Sequence, residues 1–267
     1  MRNLMVLMAA LLLSASTAFS QDNKAQNAKT IVIVHGAWSS SNDWQHVTED
    51  LIAGGNSVIS VNLPGHGTDN TAISAITFKL YVEQVKKAIG DKQNIVLVGH
   101  SFGGIIASQV AEQISSQIAK IIYVAAYVPR NGESLLSIAQ TDAESHVGRN
   151  LIVDEKAGSA TIRKEGIADV FLADAPTHIA DYVIDNFKPE PLAPLSTPVT
   201  LTEGRFGKTN KVFVFSQNDH TIGYTLQQKM TKDAGIQRLY SLPSSHTPFI
   251  IFPHVLAQII ALEANIF

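Results

Sequence analysis

Six short runs rich in β-branched and other apolar residues recur along this chain: TIVIVHG (30–36), SVISVNLPG (57–65), NIVLVGHS (94–101), IAKIIYVAA (118–126), KVFVFSQND (211–219) and IQRLYSL (236–242). None alternates strictly between apolar and polar positions, which is the pattern of strands buried on both faces of a parallel sheet. Helical periodicity fills the gaps, over 42–53, 74–89, 103–115, 221–234 and 248–262. Strands that alternate with helices build right-handed crossover units, and these wind a sheet with helices on both sides. The expectation is an α/β fold: a doubly wound, mainly parallel sheet of about six strands.

The alternation lapses between Pro129 and Phe206. Helical pieces such as IADVFLADAPTHIADYVIDNF occupy this stretch. It ends in KPEPLAPLSTP, where four prolines in ten residues (189–198) exclude regular helix and central strand. Two more strand–helix units follow, so residues 130–206 read as a helical cap inserted after the fourth strand of one domain, 30–267. A chain of 267 residues, 45% of them hydrophobic, can bury a core of that size.

Ahead of this domain, Arg2 and the apolar run LMVLMAALLL (Leu4–Leu13) precede the small residues of SASTAFS. Ala18 and Ser20 fit the positions before a cleavage site, so 1–20 read as a secretory signal and 21–29 as a polar leader. The run is too short for a stable membrane anchor. The reading is therefore an exported protein, periplasmic or secreted, and a monomer or homodimer. The formal charge is −3 with no basic block, which argues against a nucleic-acid partner. With no cysteine, disulfides, thiolate metal sites and cysteine nucleophiles are excluded.

VGHSFGG places Gly99, Ser101 and Gly103 in a G-x-S-x-G pattern between the expected strand NIVLV and the helix GGIIASQVAEQIS. In that strand–turn–helix setting the pattern is a nucleophile elbow. A sharp turn forces strained backbone angles on the central serine, and glycines let strand and helix approach. The Ser101 hydroxyl then stands at the carboxyl edge of the sheet, near a helix N-terminus that favours developing negative charge. The spacing is not that of a dinucleotide fingerprint.

A serine needs a base held by a carboxylate, and on this kind of sheet both follow the serine in the chain, each just past a strand. Of nine histidines, His246 lies just past the last strand, with His254 inside the final helix, and Asp219 follows the strand before it. Asp185 lies in the cap and Asp233 in a helix. His100 flanks the nucleophile and is expected to point away from it. An oxyanion hole needs N–H donors, and the candidates are Phe102, after the serine, and Ala37, in the loop after the first strand. His35 is expected to cap loop carbonyls. LPGHGTD (63–69) reads as a structural turn; His66 and Asp69 lack further ligand-spaced partners, so no metal is expected. Trp38, Phe171, Ile179 and Phe187 are candidates for an apolar pocket, with Phe102 beside them; packing within the cap alone explains them equally well.

Together IVIVHGAW, NLPGHG, VGHSFGG and SQNDH with SSHTPF resemble the α/β-hydrolase superfamily over most of the chain after residue 29. More narrowly, the VHGAW opening, FLADAPTHIADYVIDNFKPEPLAPLSTPV and HTPF resemble the plant methylesterase and hydroxynitrile lyase family with its bacterial esterase relatives. The resemblance implies the α/β-hydrolase fold with a helical cap, serine-dependent hydrolysis of small-molecule esters and no cofactor, with Ser101, Asp219 and His246 as nucleophile, acid and base. The family's lyases carry lysine after the catalytic histidine and replace the glycine after the early histidine. This chain has Thr247 and Gly36 there, which favours the esterase branch over a hydroxynitrile lyase. A complete triad argues against a ligand-binding protein on the same scaffold. Activity is expected to fall in acid, where the base protonates.

Overall fold

The computed structural model describes residues 30–266; the signal and leader readings fall outside them. Nine strands in these residues make two sheets. β1 (Thr30–Val34), β2 (Ser57–Val61), β3 (Ile95–His100) and β4 (Ile118–Val124) lie in the larger one. β5 (Leu151–Asp154), β6 (Ser159–Ile162) and β7 (Glu190–Pro191) form the smaller. β8 (Asn210–Ser216) and β9 (Arg238–Leu242) return to the larger. Its order is β2-β1-β3-β4-β8-β9, and every pairing is parallel.

Alternate strand residues feed two cores, as pleating requires. Val32, Val34 and Leu97 face one side, where the helices Phe78–Ile89, Gly103–Gln113 and Tyr224–Asp233 contribute Val85, Ile106 and Met230. Ile31, Ile33 and Val98 face the other, against Val47 and Leu51 of Gln45–Ala53 and Leu256 and Ile260 of Pro253–Asn265. These central strands are therefore almost continuously apolar, because both faces are covered.

The chain winds outward from β1 to β2, then returns past β1 to place β3 on its other side. The reversal opens a crevice between the carboxyl ends of β1 and β3, where sheets of this kind bind ligands. The loops that begin at His35 and Ser101 border it.

Three expectations need correction. The cap is not wholly helical: helices at Leu135–Ala139, Val147–Asn150, Ile167–Phe171 and Thr177–Asp185 surround an antiparallel sheet in the order β5-β6-β7. The proline-rich stretch does hold a short helix, Leu192–Ser196, against the expected exclusion of helix, while Pro191 ends β7, an edge strand and not a central one. An edge strand tolerates a missing donor, and Pro194 sits in a helical first turn that needs none. The closing helix is two helices, Pro248–Ile251 and Pro253–Asn265. Pro253 disfavours helical angles at Phe252, which sits at φ −127°, and then starts the second helix itself. Among the described residues no helix is long and apolar enough to cross a membrane.

Candidate active site

Ser101 follows β3 directly, in the left-handed region at φ 51°, and is buried. Such an angle in a non-glycine residue stores roughly 1–3 kcal/mol of strain and persists only where neighbours fix it. They do here: the Ser101 N–H donates to the Ala125 carbonyl at 3.2 Å, and the Ser101 carbonyl accepts from Tyr127 and Gly104 at 3.2 and 3.0 Å. A Cβ on Gly103 would run into the Val34 carbonyl, so glycine lets the following helix lie against β1.

Asp219 follows β8 and His246 follows β9, and the two side chains meet. His246 Nδ1–H donates to Asp219 Oδ2 at 2.8 Å, with both residues buried. The second oxygen, Oδ1, accepts the Thr221 and Ile222 N–H groups at 2.7 and 3.0 Å. Buried Gln227 also donates to Oδ2, at 3.2 Å, and its remaining bonds go to the backbone of Ser216 and Ile222. The carboxylate can thus rotate little. Gln227 lies in a helix, and no sequence pattern distinguishes it there from an ordinary polar residue.

His100 is placed differently from the sequence expectation. Its ring packs 4.6 Å from that of His246, and its Nε2–H donates to the His246 carbonyl at 2.9 Å. Burial first, then the neighbouring His246 and His35, hold its pKa well below that of a free histidine, so it stays neutral. Its Nδ1 is buried without a protein partner among the described residues. His246 donates to Asp219, and its carbonyl accepts from His100; Ser101 Oγ makes no hydrogen bond to a described residue in this conformation. Serine–base contacts of this type often tighten only when substrate is bound.

Neither the Ala37 nor the Phe102 N–H has a protein acceptor among the described residues. A Cβ at Gly36 would stand 2.7 Å from Ser101 Cβ and 2.9 Å from His100 Nδ1, so the two loops touch there. The loop beyond is gripped by the cap. Trp38, itself at φ 56°, donates its backbone N–H to Glu190 Oε2 at 2.9 Å and its indole N–H to the Ala160 carbonyl at 3.1 Å. Glu190 is fully buried and also accepts from His66 Nε2 at 2.8 Å and, more weakly, from the Tyr81 hydroxyl at 3.4 Å.

Both nitrogens of His66 face acceptors, Glu190 on one side and the Pro64 carbonyl at 3.1 Å on the other. That pattern suits the doubly protonated ring. Burial opposes the charge, but the Glu190 carboxylate and these hydrogen bonds prevail and raise the pKa. His35 is the opposite case: Nε2 accepts from the Leu63 N–H at 3.1 Å and Nδ1 donates to the Gly36 carbonyl at 2.8 Å. Burial and the nearby His66 cation push its pKa down to about 3. His35 therefore ties loops together, and the LPGHG turn, through His66, reaches the cap.

Trp38, Phe171 and Phe187 pack as an aromatic trio, with ring centroids 5.7–6.3 Å apart, and Phe171 lies 6.0 Å from the His246 ring. All three line a cavity of about 30 Å³ beside His246, together with Val183 and Thr247. Ile179 does not line it; Val183, one helical turn on, takes that place. Phe102 does not either, since its ring turns toward Phe78 and Tyr81. Phe171 belongs at once to the cap's own core and to the cavity wall. The cap's 171–174 segment is clamped onto the loop of His246: Thr247 Oγ1 and Ser245 Oγ donate to the Phe171 carbonyl at 3.1 and 3.2 Å, and the Ser245 N–H donates to Asp174 at 2.8 Å. A larger cavity of about 420 Å³ lies between Val128, Thr141 and Met230, but none of Ser101, Asp219 or His246 lines it. The buried Asp219–His246 pair, not the volume, marks the candidate site.

Comparisons with known proteins agree with this geometry. Methylesterase 7 of Arabidopsis thaliana is 24% identical over 256 residues, covering 88% of this chain and 95% of its own. The chain spans 57–72% of the length of four longer chloroplastic relatives from that plant. The pyrethroid hydrolase of Sphingobium wenxiniae is 27% identical over 241 residues, 86% of each chain. Among solved structures, an extracellular α/β-hydrolase from a Paenibacillus species aligns with a TM-score of 0.74 at 21% identity, covering 88% of this chain and 98% of its own. A family model described as the alpha/beta hydrolase family matches residues 31–259, from β1 into the last helix. Both strand order and sequence thus lead to one conclusion, that the chain belongs to the alpha/beta hydrolase family and is related to the plant methylesterases.

Proposed function

We propose that this protein is a serine carboxylesterase that hydrolyses small esters through an acyl-enzyme. The observation that carries the reading is the buried Asp219–His246 pair at the carboxyl edge of the sheet, with a strained Ser101 and two N–H groups that have no acceptor among the described residues. Ser101 Oγ attacks the ester carbonyl while His246 Nε2 takes its proton. Nδ1–H stays on Asp219, which stabilises the imidazolium that forms. The Ala37 and Phe102 N–H groups receive the oxyanion. His246 then protonates the leaving alcohol, and a water, deprotonated by the same nitrogen, releases the acid.

The aromatic trio supports an ester with an apolar or aromatic group on one side of the scissile bond. Relatives named as a methylesterase, a pyrethroid hydrolase and a carbendazim hydrolyzing esterase are consistent with that class. An active-site phosphonate is expected to label Ser101 covalently, and Ser101→Ala to abolish turnover of p-nitrophenyl esters. Full activity in that variant would exclude the mechanism. Export is part of the proposal, on the strength of the first twenty residues; N-terminal sequencing of the mature protein checks it.

A further inference from the structure

Two histidines and an aspartate, distant in sequence, meet where the cap joins the loop of the catalytic acid. His220 directly follows Asp219. Its Nδ1 lies 3.0 Å from Asp169 Oδ1, on the cap helix Ile167–Phe171. His146, at the start of the cap helix Val147–Asn150, has its Nδ1 2.8 Å from Asp169 Oδ2. The two imidazole rings are 4.1 Å apart, and one ligand atom from each of the three residues falls within a span of 4.8 Å. All three side chains are partly exposed, so a solvated ion has a way in.

We propose that His146, Asp169 and His220 form a binding site for a borderline divalent transition metal, Zn²⁺ or a close neighbour in the series, and that the ion pins the cap to the Asp219 loop. Two imidazole nitrogens and one carboxylate oxygen are the donor set that Zn²⁺, Co²⁺ and Ni²⁺ prefer, whereas Mg²⁺ and Ca²⁺ want oxygen alone. Ligand distances near 2.0–2.2 Å draw the three donors closer than their present spread, which small rotations of half-exposed side chains achieve. Each ring can give a metal the nitrogen that now faces Asp169 and keep its proton on the other. Three protein ligands leave one position for water. The sequence expectation of no metal rested on ligand spacing, and positions 146, 169 and 220 have none to read.

The seam is already a clasp. The His146 N–H donates to the His220 carbonyl at 2.7 Å, and Ser145 Oγ donates to the Thr221 carbonyl at 2.8 Å. Arg149, largely exposed, holds Asp169 Oδ2 at 3.1 Å. Its charge competes with a metal ion, so Arg149→Ala is expected to tighten binding. Phe171 stands two residues from Asp169 and roofs the cavity, so a bound ion stiffens the wall that bulky substrates must displace.

The test uses the mature chain without a histidine tag, stripped by chelator. Titration with Co²⁺ is expected to give the visible bands of a nitrogen-ligated, near-tetrahedral ion at one equivalent per chain, displaced by Zn²⁺ and untouched by Mg²⁺. Zn²⁺ is expected to raise Tm. His146→Gln and His220→Gln, checked for folding by circular dichroism, are each expected to weaken binding by more than the roughly 10–100-fold lost when an outer-shell partner is removed. Zn²⁺ is further expected to lower kcat/KM for bulky aryl esters several-fold more than for methyl esters, reversibly with chelator. No Co²⁺ spectrum, or unchanged binding in the doubly substituted protein, overturns the site. Binding with equal effects on both ester sizes overturns the pinning. Metal binding is independent of the esterase reading, whereas the rate effect rests on it. A full Co²⁺ titration in a protein that hydrolyses no ester would reject the latter alone.

Discussion

Among the described residues, Gln227 is the only side chain besides His246 that hydrogen-bonds Asp219. It fills one side of Asp219 and closes its own polar atoms on the Ser216 and Ile222 backbone. A hydrogen bond to a charged group is worth about 1.5–3 kcal/mol, or roughly one to two powers of ten in rate. Gln227→Met, similar in volume, is therefore expected to lower kcat by tenfold or more with little change in KM, read from initial rates on one ester. Gly36 sets a different limit. A methyl group there meets Ser101 Cβ at 2.7 Å, tighter than atoms tolerate. Gly36→Ala should destabilise the fold by about 1–3 kcal/mol, as overpacking does, and displace the nucleophile. Denaturant melts and phosphonate labelling rates measure the two effects. Ser101, Asp219 and His246 can be proposed together from the sequence because chain order and strand ends restrict the candidates to a few positions. Gln227 and the inward-facing His100 cannot, because nothing local says which way a side chain turns.

At the scale of elements, a strand of only two residues, β7, carries the carboxylate that grips the loop after β1. Glu190 lies 152 residues from Trp38 and 124 from His66, so no spacing in the sequence announces the link. The antiparallel sheet around it was missed for a related reason: short edge strands have too few positions to show a period. Because the His66 pKa is raised in the fold, its pairing contributes stability that is fully present below the unfolded value near 6.5 and is lost as pH rises through the folded value. Glu190→Gln should flatten that alkaline loss, while Glu190→Ala, which strands a buried cation, should cost about 3–5 kcal/mol in neutral solution. Thermal melts across the pH range distinguish the two. The Thr247 hydroxyl anchors the Phe171 carbonyl from the neighbouring loop. Thr247→Lys removes that anchor and places an ammonium in a nearly dry position. The expected outcome is weaker esterase activity and faster proteolysis within 130–206.

For the whole molecule, a six-stranded parallel sheet is legible in six apolar runs, whereas its order comes from the structure, and the crevice between β1 and β3 follows from that order. The state of the cap over the crevice does not, because it depends on how side chains from both parts interlock. About 30 Å³ beside His246 has room for a single water and no ester. If esters bind beside His246 as proposed, the cap is expected to open first, and apparent affinity is then reduced by the fraction of molecules that are open. The chain has two tryptophans, and they divide the labour of reporting this. Trp44 is buried and stacked 4.5 Å from Phe249, away from the cap. Trp38 is the ring that the cap holds at both ends. With Trp44→Phe, intrinsic fluorescence becomes a single-site gauge of cap opening. Its emission should shift to longer wavelength when the roof lifts, and stopped-flow traces would give the opening rate without any engineered dye.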